Sequence, residues 1–315
     1  MRLSILVPLL LLAAPLWAQP TPGAFETGRA LATLNANEVE ATVFLGQNLF
    51  FRPRDGEAEE VREAHVVPTA DSVSAIFAAS LWLAGKVDGE LRAAAARYDD
   101  FEFWPGPLGA GGALPSPTDC SAYDRIWTVS RRDIAHYLLT GEATEDLRDW
   151  PVALGAPVLD GDGIPDNYDL AGGDQPAIRG DQTAWWVMND VGNMHESSQT
   201  QPMGVEVRTE VFAAAEPEAD DGLPAVGRAT FYRYLVTNRT DDVIEDAYAS
   251  LFADPDLGYG TDDYVGSDSL RHLGYVYNAD NLDESIDHPG IQIETGYGVG
   301  PPALGFAVLR GPEGQ

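Results

Sequence analysis

Four carboxylates stand at relative positions 1, 3, 7 and 10 of the run Asp160-Gly-Asp-Gly-Ile-Pro-Asp-Asn-Tyr-Asp169: Asp160, Asp162, Asp166 and Asp169. Carboxylate and carbonyl oxygens are hard donors, and calcium takes about six to eight of them at flexible geometry. The carbonyl of Ile164 lies between the acids, and Gly161 and Gly163 permit a tight backbone path. The chemistry this spacing points to is Ca2+ binding. It is not an EF-hand, which needs a carboxylate and then glycine at the fifth and sixth positions and a glutamate at the twelfth.

A second acidic group follows about one hundred residues later: Asp254 and Asp256 before Gly258, then Asp262, Asp263 and Asp268. Adjacent like charges are costly unless a cation joins them, which makes these five residues candidate metal ligands too. Two other readings stay open here, a solvated acidic surface and a carboxylate pair of the kind that hydrolyses glycosidic bonds. His195 lies near Asp190, but no nucleophile signature accompanies it, so it reads as a structural, hydrogen-bonded histidine. Trp185-Trp186 and Phe101-Glu-Phe103-Trp104 could stack on sugar rings, yet such aromatics more often fill a core. Cys120 is the one cysteine, so no intrachain disulfide forms and a bound metal is the natural alternative staple.

These residues need a frame. Val39 to Leu45 and Leu49 to Phe51 read as a strand pair turning at Gly46-Gln-Asn48, after a flexible lead-in over 19–37. Asp88-Gly89 between two apolar runs is a hairpin signal. Residues 109–118 read as loop. Ser130 caps a predicted helix from Arg131 to Leu139, with Asp133 at the capping-box position and Gly141 as its stop; Thr144 caps a shorter one that ends before Pro151. Beyond residue 181 the pattern is strand and turn. In Met203–Ala213, Val205, Val207, Thr209 and Val211 face one way, and Glu206, Arg208 and Glu210 the other. Further strands are expected over Thr183–Met188, Arg228–Asn238, Ala247–Ala253, Gly274–Asn278 and Ala303–Leu309.

The expected fold is mainly β: an antiparallel β-sandwich-like architecture with one or two short helices near 131–150 and long calcium-loop-like connections. Its expected organisation is a signal peptide over 1–18, a β-rich region with short helices over 19–150, an acidic connection over 151–180 and a sandwich-like region over 181–315. The signal rests on Arg2, the apolar run Ile5–Leu16 and the small residue Ala18, and that run is short for a membrane span. The last residues follow an apolar run without a clear closing element, which leaves truncation at this end as one open reading.

Two resemblances accompany this reading. Asp160, Asp162, Gly163, Ile164, Pro165, Asp166 and Asp169 fall on the pattern of the thrombospondin type 3 calcium repeat. The first acidic position of that pattern falls on Val158, leaving Asp174 or a residue from elsewhere to complete the shell. Across residues 103–278 the chain also resembles large secreted surface proteins of Bacteroidetes that often carry a C-terminal type IX secretion sorting domain. Among the matching stretches are Phe103-Trp-Pro-Gly-Pro-Leu108, Asp124-Arg-Ile-Trp127, Thr230-Phe-Tyr-Arg-Tyr234, Asp254-Pro-Asp-Leu-Gly258 and Gly274-Tyr-Val-Tyr-Asn278. No stretch of this sequence matches the sorting domain, which leaves a truncated chain and another export route both open, and the resemblance implies a surface location without a reaction.

Charge narrows the partners. A net charge of -31 disfavours nucleic acid and anionic membranes. Of 19 basic residues only Lys86 is lysine; a high-salt habitat fits the acidic, lysine-poor composition, and a GC-rich genome favouring arginine codons would by itself explain the lysine deficit. The expectation is therefore a secreted or cell-surface protein, structural or adhesive, with bound calcium and an extracellular polysaccharide or protein as partner. The alternative is a glycan-active enzyme or carbohydrate-binding module using the acidic group at 254–268 and surface tryptophans.

Overall fold

The computed structural model describes residues 25–46, 49–51, 65–69, 73–98, 100–114, 117–165, 167–215, 226–288 and 292–312. The expected signal peptide, the Gln47-Asn48 turn, most of the acidic loop at 214–227 and Asp166 lie outside them. The chain begins with β1 (Leu31–Leu34), β2 (Glu40–Phe44), β3 (His65–Val66), β4 (Ala78–Val87), β5 (Glu90–Ala94) and β6 (Trp104–Pro105). Next come α1 (Pro117–Ala122), β7 (Trp127–Ser130), α2 (Arg131–Thr140), α3 (Glu145–Arg148), β8 (Val158–Leu159) and β9 (Gln175–Pro176). Four long strands follow: β10 (Gln182–Asn189), β11 (Val205–Ala213), β12 (Thr230–Asn238) and β13 (Glu245–Asp254). Then come β14 (Asp263–Asp268), β15 (Leu273–Asn278), β16 (Leu282–Asp283), β17 (Ile286–His288), β18 (Gln292–Glu294), β19 (Gly298–Val299) and β20 (Ala303–Ala307).

The protein is mainly β and sandwich-like, with antiparallel pairing throughout these strands. One sheet runs β12-β11-β10-β6, with β7 also paired to β10; a second runs β13-β4-β5. Strands from both sides of the acidic connection therefore share sheets. Asp88 and Gly89 both have positive φ, as a tight hairpin between β4 and β5 requires, and the expected hairpin forms there. Between the sheets lies the main core, which includes Leu81 and Leu83 of β4, Trp186 and Met188 of β10, and Val205, Val207 and Val211 of β11. Full burial of each aliphatic side chain contributes about 1.5–3 kcal/mol.

Alternation along β10 builds a second core on the other face of the same sheet. Ala184, Trp186 and Met188 face the main core, while Trp185 and Val187 join Trp127, Val129, Leu147 and Trp150. That second cluster is covered by α2, α3 and the connection beyond them, whose Tyr168, Leu170 and Ile178 pack against it. Both helices follow their caps. Ser130 and Asp133 form the reciprocal box, Gly141 closes α2 in the left-handed region, and Thr144 accepts from Leu147 N–H.

The expected alternation of β11 holds, and the cover decides what its polar face meets: Glu206, Arg208 and Glu210 face away from the main core and into this layer, and Glu206 and Glu210 are buried. Their charges are offset by arginine. Glu206 takes a bidentate pair from Arg239 at 2.7 and 3.1 Å and a third contact from Arg208 Nε at 3.0 Å. Arg208 in turn lies on Gly155, where any Cβ would meet its guanidinium at 2.3 Å.

Three readings change. The lead-in contains β1, which pairs with β2, so Glu40–Phe44 is not the first arm of a hairpin with 49–51; Leu49 instead bridges Ala79. The loop at 109–118 holds a 3-10 turn over Ala110–Gly112 and the start of α1. Asp263 and Asp268, read as part of an acidic cluster, are the two ends of a strand.

Candidate metal centre

The acidic run is the loop of a hairpin. β8 and β9 pair antiparallel, with Val158 opposite Pro176 and Leu159 opposite Gln175. One step beyond the last pair, Asp160 and Asp174 leave the two strands side by side. Val158, which stands where the calcium-repeat pattern has an acid, is a stem residue here. Asp174 supplies a carboxylate from the returning arm.

Backbone contact tightens the base of the loop. A Cβ at Gly161 would lie 2.2 Å from the carbonyl oxygen of Gly173, so no side chain fits there. Gly163 has φ +80°, which favours glycine. Each carboxylate is turned inward by an N–H. Gly163 N donates to Asp160 Oδ1 at 2.6 Å, and Ile164 N to Asp162 Oδ1 at 2.7 Å. Asp174, which is buried, accepts from Gly161 N at 2.9 Å and from Asp169 N at 2.7 Å. Those two donors hold its pKa below the ordinary carboxylate value, so it stays charged.

Among the described residues, Asp160, Asp162 and Asp174 form the one group of three metal-ligating side chains whose ligand atoms all lie within 4.8 Å of one another. Oxygens that share a calcium ion at about 2.3–2.6 Å cannot be more than about 5 Å apart. The triad meets that limit and could hold a metal ion. Asn167 braces the triad by donating to Asp162 Oδ2 at 3.0 Å, and among the described residues its own amide oxygen is buried without a partner.

The other loop residues have other positions. Asp169 accepts from Gly172 N at 3.0 Å and orders the return of the chain. Ile164 is exposed, and its N–H serves Asp162. Asp166 lies outside the described residues. Tyr168 and Leu170 anchor the loop to the second core: Tyr168 donates to Leu147 O at 2.6 Å, and Tyr137 donates to Leu170 O at 3.1 Å.

The second acidic group is not brought together in this way. Asp254 accepts from the Tyr98 hydroxyl at 2.8 Å, and Asp268 pairs with Arg271 at the far end of β14. Asp263 accepts from Leu257 N at 2.8 Å, and Asp262 from Asn278 at 3.0 Å. The Asp256 carboxylate lies against Gly260. Burial, with the nearby charges of Asp262 and Asp283, raises the pKa of Asp263. No three of Asp254, Asp256, Asp262, Asp263 and Asp268 converge as the triad does. Asp283, which sequence reasoning passed over, is buried and accepts from Tyr259 N at 3.0 Å and Tyr297 N at 2.6 Å. An isolated Leu-Asp pair between turns carries no signal of that role.

The remaining candidates are structural. His195 is buried, with Nδ1 2.5 Å from Ala93 O and Nε2 2.7 Å from Asp190 O, and its ring stacks on Trp104. Burial raises the pKa of Asp190, whose carboxylate accepts from Met203, Gly204 and Val205 N–H. Trp104, Trp127, Trp150, Trp185 and Trp186 are buried, and so is Cys120. Among the described residues, no helix is long and apolar enough to cross a membrane. Compared with family models, with curated proteins and with solved structures, the chain matches none.

Proposed function

We propose that this is a secreted or cell-surface protein with a structural or adhesive role, whose acidic hairpin loop binds Ca2+ as a brace. The observation that carries the reading is the convergence of Asp160, Asp162 and Asp174 within 4.8 Å at the mouth of β8 and β9. All-oxygen donors favour calcium over zinc or copper, which prefer nitrogen or sulfur. Ile164 is a candidate carbonyl donor, and Asp166 and Asp169 are candidate acids from the same loop. Secretion is supported by the leader-like sequence at 1–18 and by the resemblance to bacterial surface proteins.

A bracing role is supported by where the loop sits. Tyr168 and Leu170 tie it to the second core, which closes one face of β10. With one cysteine and no intrachain disulfide, a bound ion is the available cross-link in this layer. Burial of five tryptophans favours the structural reading over sugar stacking by those residues.

Thermal melting in calcium and in chelator tests the reading. A hundredfold excess of calcium over Kd adds about 2.7 kcal/mol. With about 2.1 cal/mol/K of unfolding entropy per residue, in a chain of this size that moves Tm by roughly 4 °C. In about 1 M monovalent salt, where screening by calcium is already saturated, Asp174→Asn should abolish the response while leaving the strand signal intact, and Asp268→Asn should leave it unchanged. Equal melting in calcium and chelator would overturn the reading.

A further inference from the structure

The outward face of the β14-β15-β20 sheet carries three tyrosines among small residues. Val276, Leu304 and Phe306 belong to the core side, so alternation turns Tyr264, Tyr275 and Tyr277 to the surface. They are 58%, 37% and 42% exposed. Tyr264 stands opposite Tyr277, and Gly266 opposite Tyr275. On the other flank Ala303 faces Tyr277 and Gly305 faces Tyr275. The rings of Tyr275 and Tyr277 have centroids 6.0 Å apart and planes tilted by 30°, so they lie side by side. Tyr264 meets Tyr277 at 6.0 Å and 71°, edge-on, as a wall. Tyr275 lies over Gly266, where a Cβ would meet its ring at 2.4 Å.

This face departs from the rest of the molecule. In a chain with 50 acidic residues it carries one carboxylate, Asp268 at its end, and Arg271 offsets that charge. Three adjoining exposed aromatic rings on one sheet face make a candidate interaction surface. We propose that the face is a platform for a neutral polysaccharide.

The chemistry selects that occupant. Each tyrosine offers an apolar ring face with a hydroxyl at its tip, which suits a pyranose ring with C–H groups on its face and hydroxyls on its rim. Glycine and alanine on the flanking strands keep the platform shallow and open, suited to a chain rather than a pocketed small molecule. The tyrosine hydroxyls and Asp268 at the margin accept hydrogen bonds, and a polysaccharide brings many donors. A second copy would bring another charge of -31, and an anionic polymer would meet the same repulsion; a neutral glycan meets none. No residue of the acidic hairpin loop takes part, so this site stands or falls apart from calcium.

Native affinity electrophoresis of the whole chain tests the proposal, with hydroxyethylcellulose, galactomannan and dextran as neutral probes and alginate as the anionic one. At least one neutral polymer should retard the protein, and alginate should not. Tyr275→Ala with Tyr277→Ala should weaken the association at least about tenfold, about 1.4 kcal/mol, while Tyr275→Phe with Tyr277→Phe keeps it. Unchanged melting certifies the fold of each variant, and Tyr264→Ala replaces the double variant if that one fails to fold. Retardation by none of the neutral probes, or retardation that survives loss of the rings, overturns the proposal. Self-association in sedimentation that the same alanines abolish overturns it as well, by assigning the face to a second copy.

Discussion

The imidazole of His65 is buried edge-on against Phe50, and among the described residues its Nδ1 has no hydrogen-bond partner. Burial lowers its pKa from 6.5 to about 4. An unfolded chain takes up a proton near pH 6.5, but the folded one resists until about pH 4. Stability is therefore intact above the unfolded value, falls as pH drops from 6.5 towards 4, and loses about 3 kcal/mol in that window. Subtracting the urea-unfolding stability of His65→Gln from that of the wild type should isolate this slope. A flat difference would assign the acid sensitivity to other groups. At this scale the candidate loop was legible, because ligand type and spacing are local properties of ten residues. Asp174 could be named only as one option, since its approach depends on the two-pair stem of Val158 with Pro176 and Leu159 with Gln175. Burial of Glu206 and Glu210 was not legible at all. Alternation reports which residues share a face and says nothing of what will cover it.

At the scale of elements, the helices were the readable part. Ser130, Asp133 and Gly141 specify α2 through contacts within one turn of either end, so no tertiary information is needed. Strand β1 was missed because Leu31-Ala-Thr-Leu34 sits in a stretch rich in turn formers and becomes a strand through pairing with β2. Strand β14 was hidden by its terminal aspartates, which look like ligands until Tyr264 and Val265 are paired with Tyr277 and Val276. Coupling between elements has its own test. If the ion braces the loop, chelation should loosen what Tyr168 and Leu170 hold. Amide exchange should rise in α3, through Leu147, and along 168–178, while β4 and β13 stay protected in the other sheet. Exchange that rises evenly over both sheets would mean that the ion acts on global stability rather than as a local brace. Tyr168→Phe, which removes the bond to Leu147 O, should reproduce part of the local increase without chelation.

Over the whole molecule the net charge of -31 acts on every conformation, and it complicates any calcium measurement. Divalent cations stabilise an acidic protein by screening as well as by binding, so a rise in Tm with calcium does not by itself locate a site. The two effects separate by their dependence on background salt. Between about 0.1 and 1 M monovalent salt the screening length falls from about 10 to about 3 Å, which removes most repulsion between exposed carboxylates. Tm should climb over that range and then level off. Partly buried pairs such as Glu206 with Arg239 change less, because one partner is out of reach of the screening ions. On that plateau, calcium should still add a saturable increment in the wild type and none in Asp174→Asn. The plateau height measures self-repulsion, and the increment measures the loop. If the increment vanishes at 1 M salt in the wild type, calcium was acting as a screening ion. The triad would then be a set of carboxylates held by their own backbone N–H donors.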